Sequence, residues 1–394
     1  MAGTISRGIK APIIRQGDDI VKITADSVLA AAKEDGFTLH ERDVIAVTEA
    51  IVARADGNYA STDDIAADIR AKFGGETVGV VFPIQSRNRF AICLRGIARG
   101  AKKVVLQMSY PADEVGNHLF DEDLLDQTDI NPYTDVLSLE QYRAAFGYVK
   151  HPFTGMDYVE YYQNLIKEEG AEVEIIFANH AEAIVDYTKN VLCCDIHTRE
   201  RSRRRVTKAG AEKVYTLCEI MNESVNGSGY NAQYGLLGSN KATESTVKLF
   251  PKNAQEVAEG IQKEILARTG VTVEAMVYGD GAFKDPVGKI WELADPVVGA
   301  GYTSGLVGLP NEVKLKFLAD NDFADLSGDE LRAAIEERIR EKDANLIGKM
   351  TSEGTTPRRL TDLIGSLCDL TSGSGDKGTP IVLVQNYFNN YATK

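Results

Sequence analysis

The residues from Val277 to Pro296, VYGDGAFKDPVGKIWELADP, are the first in this chain whose types suggest chemistry. An apolar strand pattern runs into Asp280, glycines 279 and 281 flank it, and Lys284 and Asp285 follow. A carboxylate at a strand end suits a hard cation such as magnesium or manganese, which takes one or two carboxylates together with substrate phosphates. Taken alone, the segment reads equally well as a charged turn. A second candidate is GSGDKGTP, residues 373–380, whose glycines can turn backbone amides toward a phosphate while Lys377 adds positive charge. It is not the GxxxxGK[ST] phosphate loop, because Lys377 precedes its glycine and the segment leads into a strand. The third is GSGYNAQYGLLGSN, residues 227–240, with Asn231, Gln233 and Asn240 as hydrogen-bonding side chains. An ordinary turn and a tight self-satisfied loop are the plain alternatives for these two.

Periodicity indicates the elements that would position these groups. Residues 8–37 read as an extended segment, a Gly-Asp-Asp turn capped by Asp18 or Asp19, and a helix ending near Gly36. Val44 to Val47 is a short strand that runs through Thr48 and Glu49 into a second apolar stretch carrying Arg54. From Glu76 the pattern becomes strand, helix, strand, the signature of a crossover in a parallel sheet. Further along, YVEYYQNLIKEEG is expected as helix, AEVEIIFAN as strand and HAEAIVDYTKNVL as helix. The acidic stretch 110–137 is expected as a surface excursion. Arg95 and Arg99 stand one helical turn apart, and RERSRRRVTKAG is either a solvated face or a clamp for an anion. Near the end, TTPRRLTDLIGSLCDL reads as a helix with Thr356 as cap and Pro357 at its first position.

Composition narrows the function classes. The 394 residues carry a formal net charge of −14, which repels a polyanion and argues against nucleic acid as a partner. The cysteines are scattered and odd in number, with no zinc spacing, and no apolar run approaches the roughly 18 to 20 residues that span a bilayer, so a reduced, cytoplasmic protein with no membrane partner is expected. His40, His118, His151, His180 and His197 show no triad-like grouping, which gives nucleophilic Ser-His or Cys-His catalysis no support.

Taken in order, GIKAPIIRQGDD, DVIAVTEAIVARADG, GLLGSN, EILARTGVTVEAMVYGDG and SGSGDKGTPIVLV follow the segments of the GTP-dependent coenzyme F420-0:L-glutamate ligases. The chain resembles that family over about its first 60 residues and from residue 230 to the end. The resemblance implies an α+β ligase core of the gamma-glutamyl ligase type, its N-terminal part in 1–75 and its C-terminal part, with the nucleotide and metal site, in 226–394. Residues 76–225 would then be an inserted or replaced α/β unit. It also implies a homodimer that binds GTP and a divalent metal, Mg2+ or Mn2+, and adds glutamate to a small-molecule carboxylate, a deazaflavin precursor.

Carried over by position, nucleotide contacts fall on Ala11, Pro12, Ile13, Ile14, Glu49, Arg54, Asn240 and the turn Gly373, Ser374, Gly375, Asp376, Lys377, Gly378 and Thr379. Asp280 is the implied metal ligand. Three positions depart from the family: Leu237 and Ser374 stand where metal-binding acids fall, and Glu49 where a nucleotide-contacting serine falls. A rebuilt metal site would draw on Asp285, Glu49 or Asp376. The expected activity is amide ligation through an acyl phosphate, with Arg54, Lys284 and Lys377 offsetting charge on the transferred phosphoryl group. The same chemistry on another acceptor such as a folate, ATP in place of GTP, and a non-catalytic ligand-binding role stay open.

Overall fold

The computed structural model of the chain describes residues 3–281, 294–352, 358–372 and 375–393. In chain order its strands are β1 (Ile5–Ile9), β2 (Val44–Thr48), β3 (Tyr59–Ser61), β4 (Thr77–Val81), β5 (Lys103–Met108), β6 (Leu137–Ser138) and β7 (Glu172–Phe177). There follow β8 (Asn190–Cys193), β9 (Lys213–Thr216), β10 (Asn240–Lys241), β11 (Thr246–Lys248), β12 (Glu274–Tyr278), β13 (Gly299–Tyr302) and β14 (Ile381–Gln385). The helices are α1 (Ile20–Asp35), α2 (Glu49–Asp56), α3 (Thr62–Phe73), α4 (Phe90–Gly100), α5 (Leu139–Phe146), α6 (Tyr158–Glu168), α7 (Arg199–Lys208), α8 (Ala254–Thr269), α9 (Leu315–Phe317), α10 (Gly328–Arg340) and α11 (Leu360–Thr371).

Alternation in VIAVT, EAMVY and IVLVQ builds the middle of a five-stranded sheet ordered β1-β14-β2-β12-β13. Ile45, Val47, Ala275, Val277, Ile381 and Leu383 pack on the face covered by α1, α2 and α8. Their neighbours Val44, Ala46, Met276, Tyr278, Val382 and Val384 pack against Ile364 and Cys368 of α11. Both faces are therefore buried, as the period of two requires of a sheet between helices. Strand β2 is parallel to β12, whereas β14 is antiparallel to β1 and β2, and β13 is antiparallel to β12. Consequently the ends of β1, β2 and β12 and the beginnings of β13 and β14 share one edge. Helix α1 starts and stops as its sequence predicts: the Asp19 side chain accepts from the Lys22 N–H, and Gly36 is left-handed at φ 71°.

The second sheet, ordered β6-β7-β5-β4-β8-β9, is parallel except where β6 meets β7. Numbered by appearance, its parallel strands run 3-2-1-4-5, a doubly wound order that reverses between β4 and β8. Crevices beyond the strand ends at such a reversal are the preferred ligand positions of open α/β sheets. Helices α3, α4 and α6 cover one face and α7 the other. A three-stranded sheet, β10-β11-β3, lies between the two larger ones in the chain and carries Lys248 at the end of β11.

Several expectations change. HAEAIVDYTKNVL is not one helix: a 3₁₀ turn, Ala181–Asp186, gives way to β8, whose Val191, Leu192 and Cys193 are fully buried between β4 and β9. A strand buried on both faces does not alternate, so its apolar run cannot be told from helix by period. The acidic excursion is partly core, since Val115, Leu119 and Phe120 are buried. RERSRRRVTK forms α7, with Arg203 paired to Glu219 and Arg205 to Glu182. Arg95 and Arg99 pair with Glu168, Glu169 and Asp63. Helix α11 has Arg359 as its cap; Thr356 and Pro357 lie outside the described residues. Among the described residues no helix is long and apolar enough to cross a membrane.

Helices α3 and α4 touch through glycine. A Cβ at Gly96 would lie 2.6 Å from the Ile65 Cβ, so any larger residue must push the helices apart. Gly96→Ala should therefore destabilise the chain by about 1–3 kcal/mol despite alanine's better helix propensity, as read by urea unfolding.

Candidate functional site

The shared edge of the five-stranded sheet gathers segments from the whole chain. Residues 10–14 leave β1, Glu49 follows β2, Asp280 follows β12, Asp295 approaches β13, and the turn 375–380 leads into β14. The Ala11 N–H donates to the Gly378 carbonyl at 3.2 Å and the Thr48 N–H to the Pro380 carbonyl at 3.1 Å, which stitches three of these segments together.

Asp280 and Asp295 are held side by side. The Asp280 N–H donates to Asp295 Oδ2 at 2.9 Å, and a Cβ at position 279 would fall 2.5 Å from that same oxygen, so glycine is required there. Between the two carboxylates lies the guanidinium of Arg89, whose Nη2 is 2.7 Å from Asp280 Oδ2 and whose Nη1 is 2.6 Å from Asp295 Oδ1. Burial alone would lower the Arg89 pKa, but the charges of Asp295, Asp280 and Glu49 outweigh it and the net shift is upward. Arg89 comes from the other sheet, on the loop from β4 to α4 beside the strand reversal. Asp369 of α11 closes the group by accepting the Gly281 N–H at 2.9 Å, and burial raises its pKa.

Glu49 opens α2 and is 4% exposed. Lys248 Nζ contacts both of its oxygens, at 2.7 and 2.5 Å. Burial pushes the Glu49 pKa up, against the pull of Lys248. Glu49 is thus committed to an ion pair, a poor arrangement for the nucleotide-contacting serine that the resemblance places there.

The other expected contacts spread along the edge. Ile13 is 79% exposed, whereas the Ile14 side chain is in the core, so only its backbone can meet a ligand. Arg54 is exposed in the last turn of α2, beside the 10–17 loop where Gly17 N–H bonds Ala55 O, and makes no ion pair among the described residues. Gly375, Asp376, Lys377 and Gly378 are exposed. Thr379 sits against Gly8, where an added Cβ would meet its own at 3.0 Å. Asn240 pairs with Lys248 across β10 and β11, near the Glu49 ion pair. Lys284, Asp285, Gly373 and Ser374 lie outside the described residues. Leu237 is 2% exposed and, with Ile84, Phe90, Cys194, Ile196 and Leu236, lines a narrow cavity of about 20 Å³ that Arg89 also borders. It therefore supplies an apolar wall at the position where the resemblance puts a metal ligand.

A divalent cation can be tested against these donors. Among the described residues no group of three or more His, Cys, Asp or Glu converges on one point. Asp280 and Asp295 do converge on a single cation, and two hard carboxylates match an ion that takes its remaining ligands from phosphates and water. The sequence pointed to Asp280 but not to Asp295, Arg89, Lys248 or Asp369. Asp295 lies in the very segment that drew attention, whereas Arg89 is 191 residues from Asp280 and nothing local marks it.

Just beyond β8, Asp195 is 1% exposed; its Oδ2 accepts from Thr198 and Ser202, and its Oδ1 has no partner among the described residues. Burial raises its pKa from 3.8 to about 6. The native state therefore holds this proton more tightly, and the resulting stability is complete below 3.8 and lost as pH rises through about 6. Wild type should lose about 1 kcal/mol more than Asp195→Asn between pH 5 and pH 7.5, measured by urea unfolding at each pH. Lys248→Met leaves Glu49 buried without its counter-ion and should cost about 3 kcal/mol. Most of that should return in the Lys248→Met, Glu49→Gln double variant, giving a positive coupling in a double-mutant cycle.

No curated protein matches the chain. The family model for F420-0:gamma-glutamyl ligase matches residues 8–386, a span that includes residues 76–225 as well as the segments that carry the resemblance. With nearly the whole chain covered, this protein belongs to the F420-0:gamma-glutamyl ligase family.

Proposed function

We propose that this chain is a nucleotide-dependent amide ligase that activates a small-molecule carboxylate as an acyl phosphate and joins it to the amine of glutamate. The observation that carries this reading is the meeting of Asp280, Asp295 and the 375–380 turn on one sheet edge, with the guanidinium of Arg89 between the two carboxylates. In the first step the carboxylate oxygen takes the terminal phosphoryl group of GTP or ATP and the nucleoside diphosphate leaves. In the second the amine nitrogen attacks the acyl carbon, phosphate departs and the amine loses a proton. Such chemistry is mainly positioning and charge neutralisation.

A divalent ion held by Asp280 and Asp295 would supply Lewis-acid neutralisation of the nucleotide phosphates. Exposed amides of Gly375 to Gly378 would receive phosphate oxygens, and Lys377 and Arg54 are exposed cations on the same stretch of surface. A second reading, ligand binding without turnover, is favoured by one observation: Arg89 already neutralises both carboxylates, and Leu237 offers no oxygen.

Calorimetric titration with GTP and with ATP, each with and without Mn2+, separates the two readings. Ligation chemistry predicts nucleotide binding that Mn2+ strengthens and that Asp280→Ala weakens by roughly 10- to 100-fold. Binding indifferent to both Mn2+ and Asp280 would establish the scaffold reading instead.

A further inference from the structure

We infer that Arg89 is the built-in cation of the Asp280–Asp295 pair, a positioning residue that a divalent metal ion must displace in order to load. The inference rests on the metal reading of Asp280 given above and goes beyond it, because it assigns a role to a residue outside the five segments that carry the family resemblance.

The two carboxylates are fixed by the Asp280 N–H bond to Asp295 and by the glycine at 279, so they stay adjacent whatever lies between them. Adjacent carboxylates with little solvent around them need a positive partner, and Arg89 meets each through a separate nitrogen at salt-bridge distance. A guanidinium and a metal ion cannot both occupy the oxygens facing that point, since Mg2+ and Mn2+ require direct oxygen contact at about 2.1 Å. Glu49 and Asp369 add negative charge to the same cluster, and that field favours a divalent ion over a singly charged guanidinium.

The peptide unit joining Asn88 to Arg89 is anchored through both of its polar groups: the Ser86 Oγ accepts the Arg89 N–H at 3.1 Å, and the Asn88 carbonyl accepts the Lys241 N–H at 2.6 Å. Displacement is therefore a side-chain movement. The guanidinium leaves the carboxylates while its backbone stays in place, and the carboxylate of the acid substrate is the chemically matched replacement partner. Arg89 thereby couples metal loading to acceptance of the acid.

The test is Mn2+ binding without nucleotide, followed by the EPR signal of free Mn2+, for wild type, Arg89→Gln and Asp280→Asn. Removing a competing charge should tighten Mn2+ binding in Arg89→Gln by at least roughly tenfold, and Asp280→Asn should abolish it. Unchanged or weaker binding in Arg89→Gln, with loss in Asp280→Asn, would overturn the role of Arg89 alone. Full wild-type affinity in Asp280→Asn would overturn the metal reading and this inference together. Wild type supplies a second test that does not depend on a variant folding: the slowly exchanging NMR signal of the ion-paired Arg89 guanidinium should vanish at saturating Mg2+, and its persistence would refute displacement.

Discussion

Two carboxylates held beside each other away from bulk water must be given a cation, and much of this structure can be understood as the means of meeting that demand. Asp280 and Asp295 approach because β12 and β13 are antiparallel neighbours, so the end of one and the approach to the other coincide. The Asp280 amide fixes the spacing and the glycine at 279 makes room for it. The cation comes from the loop after β4, in the other large sheet. Removing one partner of such a group leaves an uncompensated buried charge, so the arrangement constrains where that loop can lie as firmly as apolar packing does.

The same sheet edge explains why functional segments so far apart in the chain belong together. Because β14 enters the sheet antiparallel between β1 and β2, the turn before it faces the residues that follow its two neighbours. A glycine turn, a loop with an exposed isoleucine, a buried Glu–Lys pair and the carboxylate pair are thereby set out in a row. Each of these segments contributes only the few residues that protrude beyond a strand.

What could be read from sequence was local. The Asp19 cap, Gly36, the alternating strands and the carboxylate at the end of β12 each depend on residues within a few positions, and their types declare them. The partners of those carboxylates depend on which strands become neighbours. Lys248 reaches Glu49 from 199 positions away and Arg89 reaches Asp295 from 206, distances at which a lone basic residue on a loop looks like any other. Strand β8 escaped for a different reason: buried on both faces, it has no polar side to mark its period. At position 237 the departure from an implied metal-binding acid is legible in the sequence, but the apolar wall that the leucine joins is not.

That wall has a physical consequence: apolar side chains packed this closely leave little room for water beside the charged cluster. An aspartate at 237 would bring its hydration into the cavity, whereas leucine packs with Leu236, Phe90 and Ile196 and leaves the charged groups on one side only. Leucine offers no oxygen there, and Arg89 is the one charged side chain bordering the cavity among the described residues. Arg89 therefore stands between an apolar wall on one side and the carboxylate pair on the other, and balances the charge of that pair.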